Sequence, residues 1–292
     1  MIAAGLVLLA IGAADLLREF LSPARRWIGL LAGALVLVVL GILSGAILAA
    51  LAAILVAAGW VWLSPIAGRA RAGFWPAVVL AALCAVLVAA IPARSAAGLI
   101  GGAWALPTPF GAVGFDQIVL VVGVVLFLME SANVVVRTAL QHEDVQFARV
   151  AADALPAEPA AHPRTPAEET VTDAAPSAAA SVIVDPQAGA AASIDEVVPL
   201  VDEVPPLAVG PALKGGRLIG PLERILVFAL TLAGMYPLLA AVLAAKGIVR
   251  FPEISRDSAA GNRAEYFLIG SLVSWVIALA GALLVWWAFA TP

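Results

Sequence analysis

"WIGLLAGALVLVVLGILSGAILAALAAILVAAGWVWL", residues 27 to 63, holds no charged residue in 37 positions. A bilayer core about 30 Å thick is crossed by roughly 20 helical residues, so this run is too long for one crossing and long enough for two. Gly41 to Gly45, with Ser44 among them, supply the small, turn-prone residues that a reversal needs. The run therefore predicts two antiparallel helices, 27–43 and 46–63, and with them a helical membrane protein.

Composition agrees. Hydrophobic residues are 63% of the 292 and charged residues 12%, and mean hydropathy is +1.05; soluble domains carry about 25% charged residues. Upstream, "MIAAGLVLLAIGAADLL" predicts a first span from Ile2 to Phe20. No basic residue precedes it and no small-residue cleavage site follows, which reads as a retained span and not a removed signal peptide. Downstream, spans are predicted over 74–91, ended by Pro92, and over 117–136, closed by Arg137. Trp60, Trp62 and Trp75 read as markers of the membrane interface.

From 141 to 213 the character changes. Twelve acids face only Arg149 and Arg164 there, a net charge of −10 against +6 for the rest of the chain. Ala, Pro and acid dominate, and such a segment buries too little apolar surface to offset its ordering entropy, so a disordered linker is expected. An amphipathic lead-in (214–224) then precedes a sixth span (225–245) and a seventh (265–288), with Pro252 expected to stop the sixth helix. The expected fold class is an all-α, polytopic bundle of about seven transmembrane helices, five plus two. Its parts are a five-span bundle (1–140), the linker (141–213) and the lead-in with a two-span hairpin (214–292).

Positive residues stay on the cytoplasmic side. An outside N-terminus and cytoplasmic linker put Arg18, Arg25, Arg26, Arg69, Arg71, Arg137, Lys214, Arg217 and Arg224 inside. Arg94, Lys246, Arg250, Arg256 and Arg263 then fall outside, against the rule. A break of the sixth segment at Gly234 and Pro237, in "LAGMYPLL", into a re-entrant hairpin would remove that conflict.

Intramembrane acids are expensive and face a partner or water. Asp15, and Glu130 with Asn133 and Arg137 on about the same helical face, are therefore the candidate polar sites. They read either as an ion or proton site or as helix-locking pairs such as Asp15 with Arg18. Near the C-terminus, Glu253 or Glu265 could clasp Lys246 or Arg250 across a turn. Tyr266 and Glu265 suit a helix N-terminus at the interface. Small residues at packing spacing, Gly29 and Gly33, and Gly270, Ser274, Ala278 and Gly281, suit close helix approach within the bundle or in a homo-oligomer. "HEDVQ" at 142 has Gln146 where a zinc-protease motif needs a second His. The single cysteine, Cys84, excludes an internal disulfide and reads as a small buried hydrophobe. No catalytic residue, metal site or cofactor is expected, and the basic excess follows from topology without nucleic acid.

"GRLIGPLERILVF", "AAKGIVRF" and "AEYFLIGSLVSW" together resemble the C-terminal block of an uncharacterised bacterial integral-membrane family. Its members share GRLIG-x-LER, AAK-x-x-x-RF and AEY-x-x-x-G-[ST]-x-x-S elements. The likeness covers 216–275 and matches at Arg217, Glu223, Arg224, Lys246, Arg250, Phe251, Glu265, Tyr266, Gly270 and Ser274. Pro237 and the long acidic linker depart from it. The resemblance implies a polytopic protein of the bacterial cytoplasmic membrane and carries no activity.

The leading functional expectation is a non-enzymatic scaffold or accessory protein in the lipid bilayer. Its linker would reach a cytosolic or membrane partner through the tandem "DEVVPLV" and "DEVPPLA", Asp195 to Leu207. The alternatives are a small transporter or channel lined by Asp15, Glu130, Lys246 and Arg250, and an intramembrane enzyme.

Overall fold

The computed structural model describes residues 1–64, 73–91, 94, 98–101, 106–108, 111–141, 216–254 and 260–290, without side chains for 101–112, 216, 217, 249–254 and 260–267. The expected linker, save Gln141, therefore lies outside the described residues, as do the side chains of Arg217, Arg250, Glu253, Glu265 and Tyr266.

The described chain is nearly all helical. Its helices are α1 (Ile2–Phe20), α2 (Arg26–Leu43), α3 (Ile47–Leu63), α4 (Trp75–Ala90) and the single turn α5 (Gly98–Gly101). A short antiparallel pair follows, β1 (Leu106–Thr108) and β2 (Gly111–Val113), with Pro107 opposite Ala112. Then come α6 (Phe115–Gln141), α7 (Gly216–Leu232), α8 (Tyr236–Ile254) and α9 (Ala260–Ala290). Among the described residues, three stretches are long and apolar enough to cross a membrane: Arg26–Leu43, Phe115–Gln141 and Leu268–Ala290.

The 27–63 run folds as its length requires. α2 and α3 are separated by Ser44–Ala46, where Gly45 takes a φ of +64° that a side chain would resist. Beside the turn, Gly41 lets Ala50 approach: a Cβ on Gly41 would lie 2.6 Å from the Ala50 Cβ.

α1 is apolar on nearly every side and sits at the centre, with α2, α3, α4 and α6 packed around it. Its tightest neighbour is α6. A Cβ on Gly5 would lie 2.7 Å from the Leu120 backbone nitrogen, and one on Gly12 2.7 Å from the Leu126 carbonyl carbon. From the other side, a Cβ on Gly123 would come within 2.5 Å of the Gly5 oxygen. Both registers advance together, so α1 and α6 run parallel, in backbone contact. Gly29 and Gly33 of α2 do a different job: they receive the ends of the Leu21 and Leu17 side chains.

The continuous sixth span over 225–245 does not form. α7 ends at Leu232, Gly234 turns at φ +68°, and α8 starts at Tyr236. The Met235 N–H donates to the Leu230 oxygen and the Gly234 N–H to the Thr231 oxygen, the paired bonds of a glycine-terminated helix end. Pro237 falls in the first turn of α8, where its missing N–H is harmless. Glu223 and Lys246 meet from either side of this turn, so α7 and α8 fold back as a hairpin. The distance from Glu223 to the turn is about 16 Å of helix, half a bilayer core. α8 also continues to Ile254, two residues past the expected stop at Pro252.

α9 lies against α7, α4 and α6. Gly270 is beside Val136 and Leu140, and a Cβ on Gly281 would lie 2.9 Å from Val124. α9 therefore runs antiparallel to α6, and Ala278 is fully buried on the same stripe.

Candidate functional site

The charged side chains buried inside the helical body, among the described residues, gather into three clusters. At the C-terminal end of α1, Asp15 and Arg18 are both buried and their ion pair is 3.0 Å. The i+3 spacing brings them together on one helix face. Trp60 of α3 donates its indole N–H to the other Asp15 oxygen at 2.9 Å, and Arg18 reaches the Ser64 carbonyl at 2.9 Å. Trp60 is thus a buried partner of Asp15, which supplies the acceptor that a buried indole N–H needs. Trp62 and Trp75, by contrast, are exposed.

α6 answers this cluster with a π-turn, Phe127–Ser131, in which the Ala132 N–H bonds back five residues to the Phe127 oxygen. The Ser131 hydroxyl is fully buried beside the Asp15 carboxylate without a full hydrogen bond to any described group.

The second cluster lies at the far end of the bundle. Arg94 grips buried Asp116 with its Nε at 3.1 Å and an Nη at 2.9 Å, and its backbone N–H adds a bond at 3.3 Å. The other Nη donates to the Ser44 and Gly45 carbonyls that end α2. A bidentate guanidinium suits such a fork. One residue thus joins the α2–α3 turn to the start of α6, where Asp116 in the first turn also suits the helix dipole.

The third cluster joins residues of the GRLIGPLERILVF, AAKGIVRF and AEYFLIGSLVSW stretches. Arg224 of α7, 3% exposed, spends its guanidinium on three acceptors: Ser274 Oγ of α9 at 2.9 Å, the Leu128 carbonyl inside the π-turn at 3.0 Å, and Asn133 Oδ1 at 2.6 Å. Asn133 in turn donates to the Met129 carbonyl and reaches Glu130 at 3.5 Å. Next door, Glu223 holds Lys246 of α8 with both oxygens at 2.6 Å and accepts the Trp275 indole N–H at 2.6 Å. The Lys246 ammonium also lies 5.4 Å from the centre of the Trp275 ring. This pair clasps α7 to α8 across the break at Gly234; the clasp expected across the following turn, from Glu253 or Glu265, lies outside the described side chains.

Sequence reasoning singled out Asp15, Glu130, Asn133, Glu223, Arg224, Lys246 and Ser274. It missed Asp116, Trp275 and Ser131 altogether, and used Arg94 only as a topological charge. Asp116 carried one usable signal, an acid in the first turn of an apolar helix. Ser131 carried none, since its isolation depends on a π-turn that no local pattern announces.

Cavities open between the described helices. One of about 510 Å³ is bounded by α4, α6, α9 and Leu8; one of about 230 Å³ is bounded by α1, α2 and α3. No charged side chain lines either. Among the described residues no three His, Cys, Asp or Glu side chains group as a metal site. Chemically, the clusters can fix helices against each other. In comparisons with family models, curated proteins and solved structures, the chain finds no match.

Proposed function

We propose that the chain is a non-enzymatic scaffold or accessory protein of the bacterial cytoplasmic membrane, related to the family whose C-terminal elements it resembles. α1, α2, α3, α4, α6 and α9 cross the bilayer, and α7 with α8 enters and leaves from the cytoplasmic side. The N-terminus and the Arg94 cluster face outward, and the 142–215 segment is cytoplasmic.

Charge supports this arrangement. With the hairpin folded back, Lys246, Arg250 and Arg263 join Arg18, Arg25, Arg26, Arg137, Arg217 and Arg224 at one end. Arg94 is the one Lys or Arg side chain among the described residues at the other, beside the Met1 ammonium. The positive-inside rule is then obeyed where a full sixth crossing would break it.

The observation that carries the scaffold reading is that the intramembrane charges are spent on protein partners. Asp15, Asp116, Glu223 and Arg224 each hold two or more hydrogen bonds to other helices or turns or within their own cluster, and none of them lines either of the cavities described above. A path for ions needs polar groups facing water. The acidic segment, through Asp195 to Leu207, is the part left to reach a partner.

Two experiments test this. Single cysteines replacing Leu200 and Ser255 in a Cys84→Ser background are both expected to react only from the cytoplasmic side; opposite-side reaction would restore a full sixth crossing. Deleting 142–212 is expected to change the set of proteins captured by proximity labelling while the membrane body still inserts. Ion flux into proteoliposomes that disappears in Asp15→Asn would replace the scaffold with a transporter.

A further inference from the structure

Two cations stand apart from the three clusters. Arg25 and Arg26 are adjacent in sequence at the start of α2. The Arg25 side chain is exposed and makes no hydrogen bond or ion pair among the described residues. Arg26 donates through Nε to the Leu21 carbonyl at 3.2 Å, and its two Nη groups have no acceptor among the described residues. The first turn of α2 contains no acid, and a helix N-terminus opposes a cation. Buried Arg18 lies close enough to act on Arg26 electrostatically, and its own carboxylate partner is Asp15.

What surrounds the pair points to the anion that answers it. Leu30, one helical turn beyond Arg26 on the same face, lines the smaller cavity, whose near end is Leu17, Leu30 and Val61 and whose deep end is Leu37 and Ile54. Trp27 and Trp62, both exposed, flank the near end. On the membrane placement proposed above, on which this inference rests, the pair lies at the cytoplasmic interface, the depth of lipid phosphates and of interfacial tryptophans. A lipid there sets a charged group above an apolar tail, in the order in which the protein sets two arginines above an apolar groove. Free phosphate has no use for the groove. The acidic 142–212 segment must be drawn from water to a depth that the bilayer already fills with phosphates. Zwitterionic lipids carry a cation beside the phosphate, which two unmatched guanidiniums disfavour, whereas the fork of each guanidinium suits a phosphate of net negative charge. We propose that Arg25 and Arg26 bind the headgroup of one anionic phospholipid of the cytoplasmic leaflet, at the mouth of the α1–α2–α3 groove.

The test titrates the full chain in detergent with phosphatidylglycerol or with phosphatidylcholine of the same acyl chains and counts bound lipid by native mass spectrometry. One phosphatidylglycerol is expected to bind at least about tenfold more tightly than phosphatidylcholine, the scale that two arginines at a lipid surface give. Arg25→Gln, which removes no internal contact, is expected to reduce the preference, and Arg25→Gln with Arg26→Gln to abolish it. Lys214→Gln with Arg263→Gln takes the same charge from the same end and is expected to leave the preference intact. Equal binding of the two lipids, or an equal loss in the Lys214 and Arg263 control, means attraction to overall charge only and overturns the site. Displacement of the lipid by inorganic phosphate would make this a soluble-anion site, and a preference seen only after deletion of 142–212 would give the pair to the acidic segment; either result overturns the proposal. Failure of the chain to float with vesicles of these lipids is a separate reading, which overturns the membrane placement and this inference with it.

Discussion

The seam between α1 and α6 and the attachment of α7–α9 solve the same problem by different physics. α1 and α6 meet through Gly5, Gly12 and Gly123, with backbones in contact at those positions. α7 and α9 meet the bundle through Arg224, whose donors reach residues 50, 91 and 96 positions away in sequence. In lipid no hydrophobic force distinguishes one apolar helix face from another, so association depends on close packing and interhelical hydrogen bonds. Shape fixes α1 to α6 although Gly5 and Leu120 are 115 positions apart in sequence. The segment that returns after 142–215 adds a directional contact, in which Arg224 reads the Leu128 carbonyl and Asn133 of α6 while holding Ser274 of α9.

The largest effect is expected from breaking the shape-based seam. In Gly123→Leu the new Cβ alone would overlap the Gly5 carbonyl, which is backbone and cannot rotate away. The helices must separate, and loss of more than about 3 kcal/mol is expected, beyond ordinary overpacking. Thermal unfolding in detergent should show a collapse of the whole cooperative transition. A transition within a few degrees of the parent would mean the two helices are not in contact.

Arg94→Ala comes next. It leaves the Asp116 carboxylate, 2% exposed, without its cation and frees the Ser44 and Gly45 carbonyls. Because Arg94 itself is partly open to solvent, the expected loss is about 2–3 kcal/mol, below the range for a fully buried pair. Asp116→Asn in the Arg94→Ala background should recover part of it, since the stranded charge is then gone. An unchanged midpoint in both variants would show the cluster to be passive.

Arg224→Ala should be smaller in energy and more local, about 2 kcal/mol for three neutral acceptors left without a donor. Its signature is selectivity: faster proteolysis or hydrogen exchange in α7–α9, with α1–α6 unchanged. Uniform loosening of all helices would erase the distinction between the two modes of attachment.

How far the chain can be read without a structure follows from the same distinction. The boundaries of α1, α2, α3 and α4 fall within a residue or two of expectation, because bilayer thickness and apolar run length are local properties. The glycines that matter most were passed over. Gly29 and Gly33 fit a familiar spacing, whereas Gly5 and Gly12 are seven apart and their partner Gly123 lies on another helix, so only the parallel pairing of α1 with α6 reveals them. The break at Gly234 was legible as an alternative, from a glycine and a proline in an apolar run; what could not be read was that Glu223 would then lie opposite Lys246. Arg224 was flagged by resemblance alone, since its three acceptors belong to two distant helices.

The smallest effect is the sharpest probe of the comparison. Ser131 is on the seam side of α6, fully buried, and its hydroxyl lacks a full hydrogen bond while Asp15 already holds Arg18 and Trp60. An unsatisfied buried hydroxyl is a burden of about 1–3 kcal/mol relative to a satisfied one. Ser131→Ala should therefore be neutral or stabilise by up to about 1 kcal/mol, read as an equal or higher unfolding midpoint in detergent. Loss of more than about 1 kcal/mol would mean that the hydroxyl is a working third donor to Asp15. The seam would then be held by a polar bond as well as by glycine contact, and its contrast with the Arg224 attachment would become one of degree.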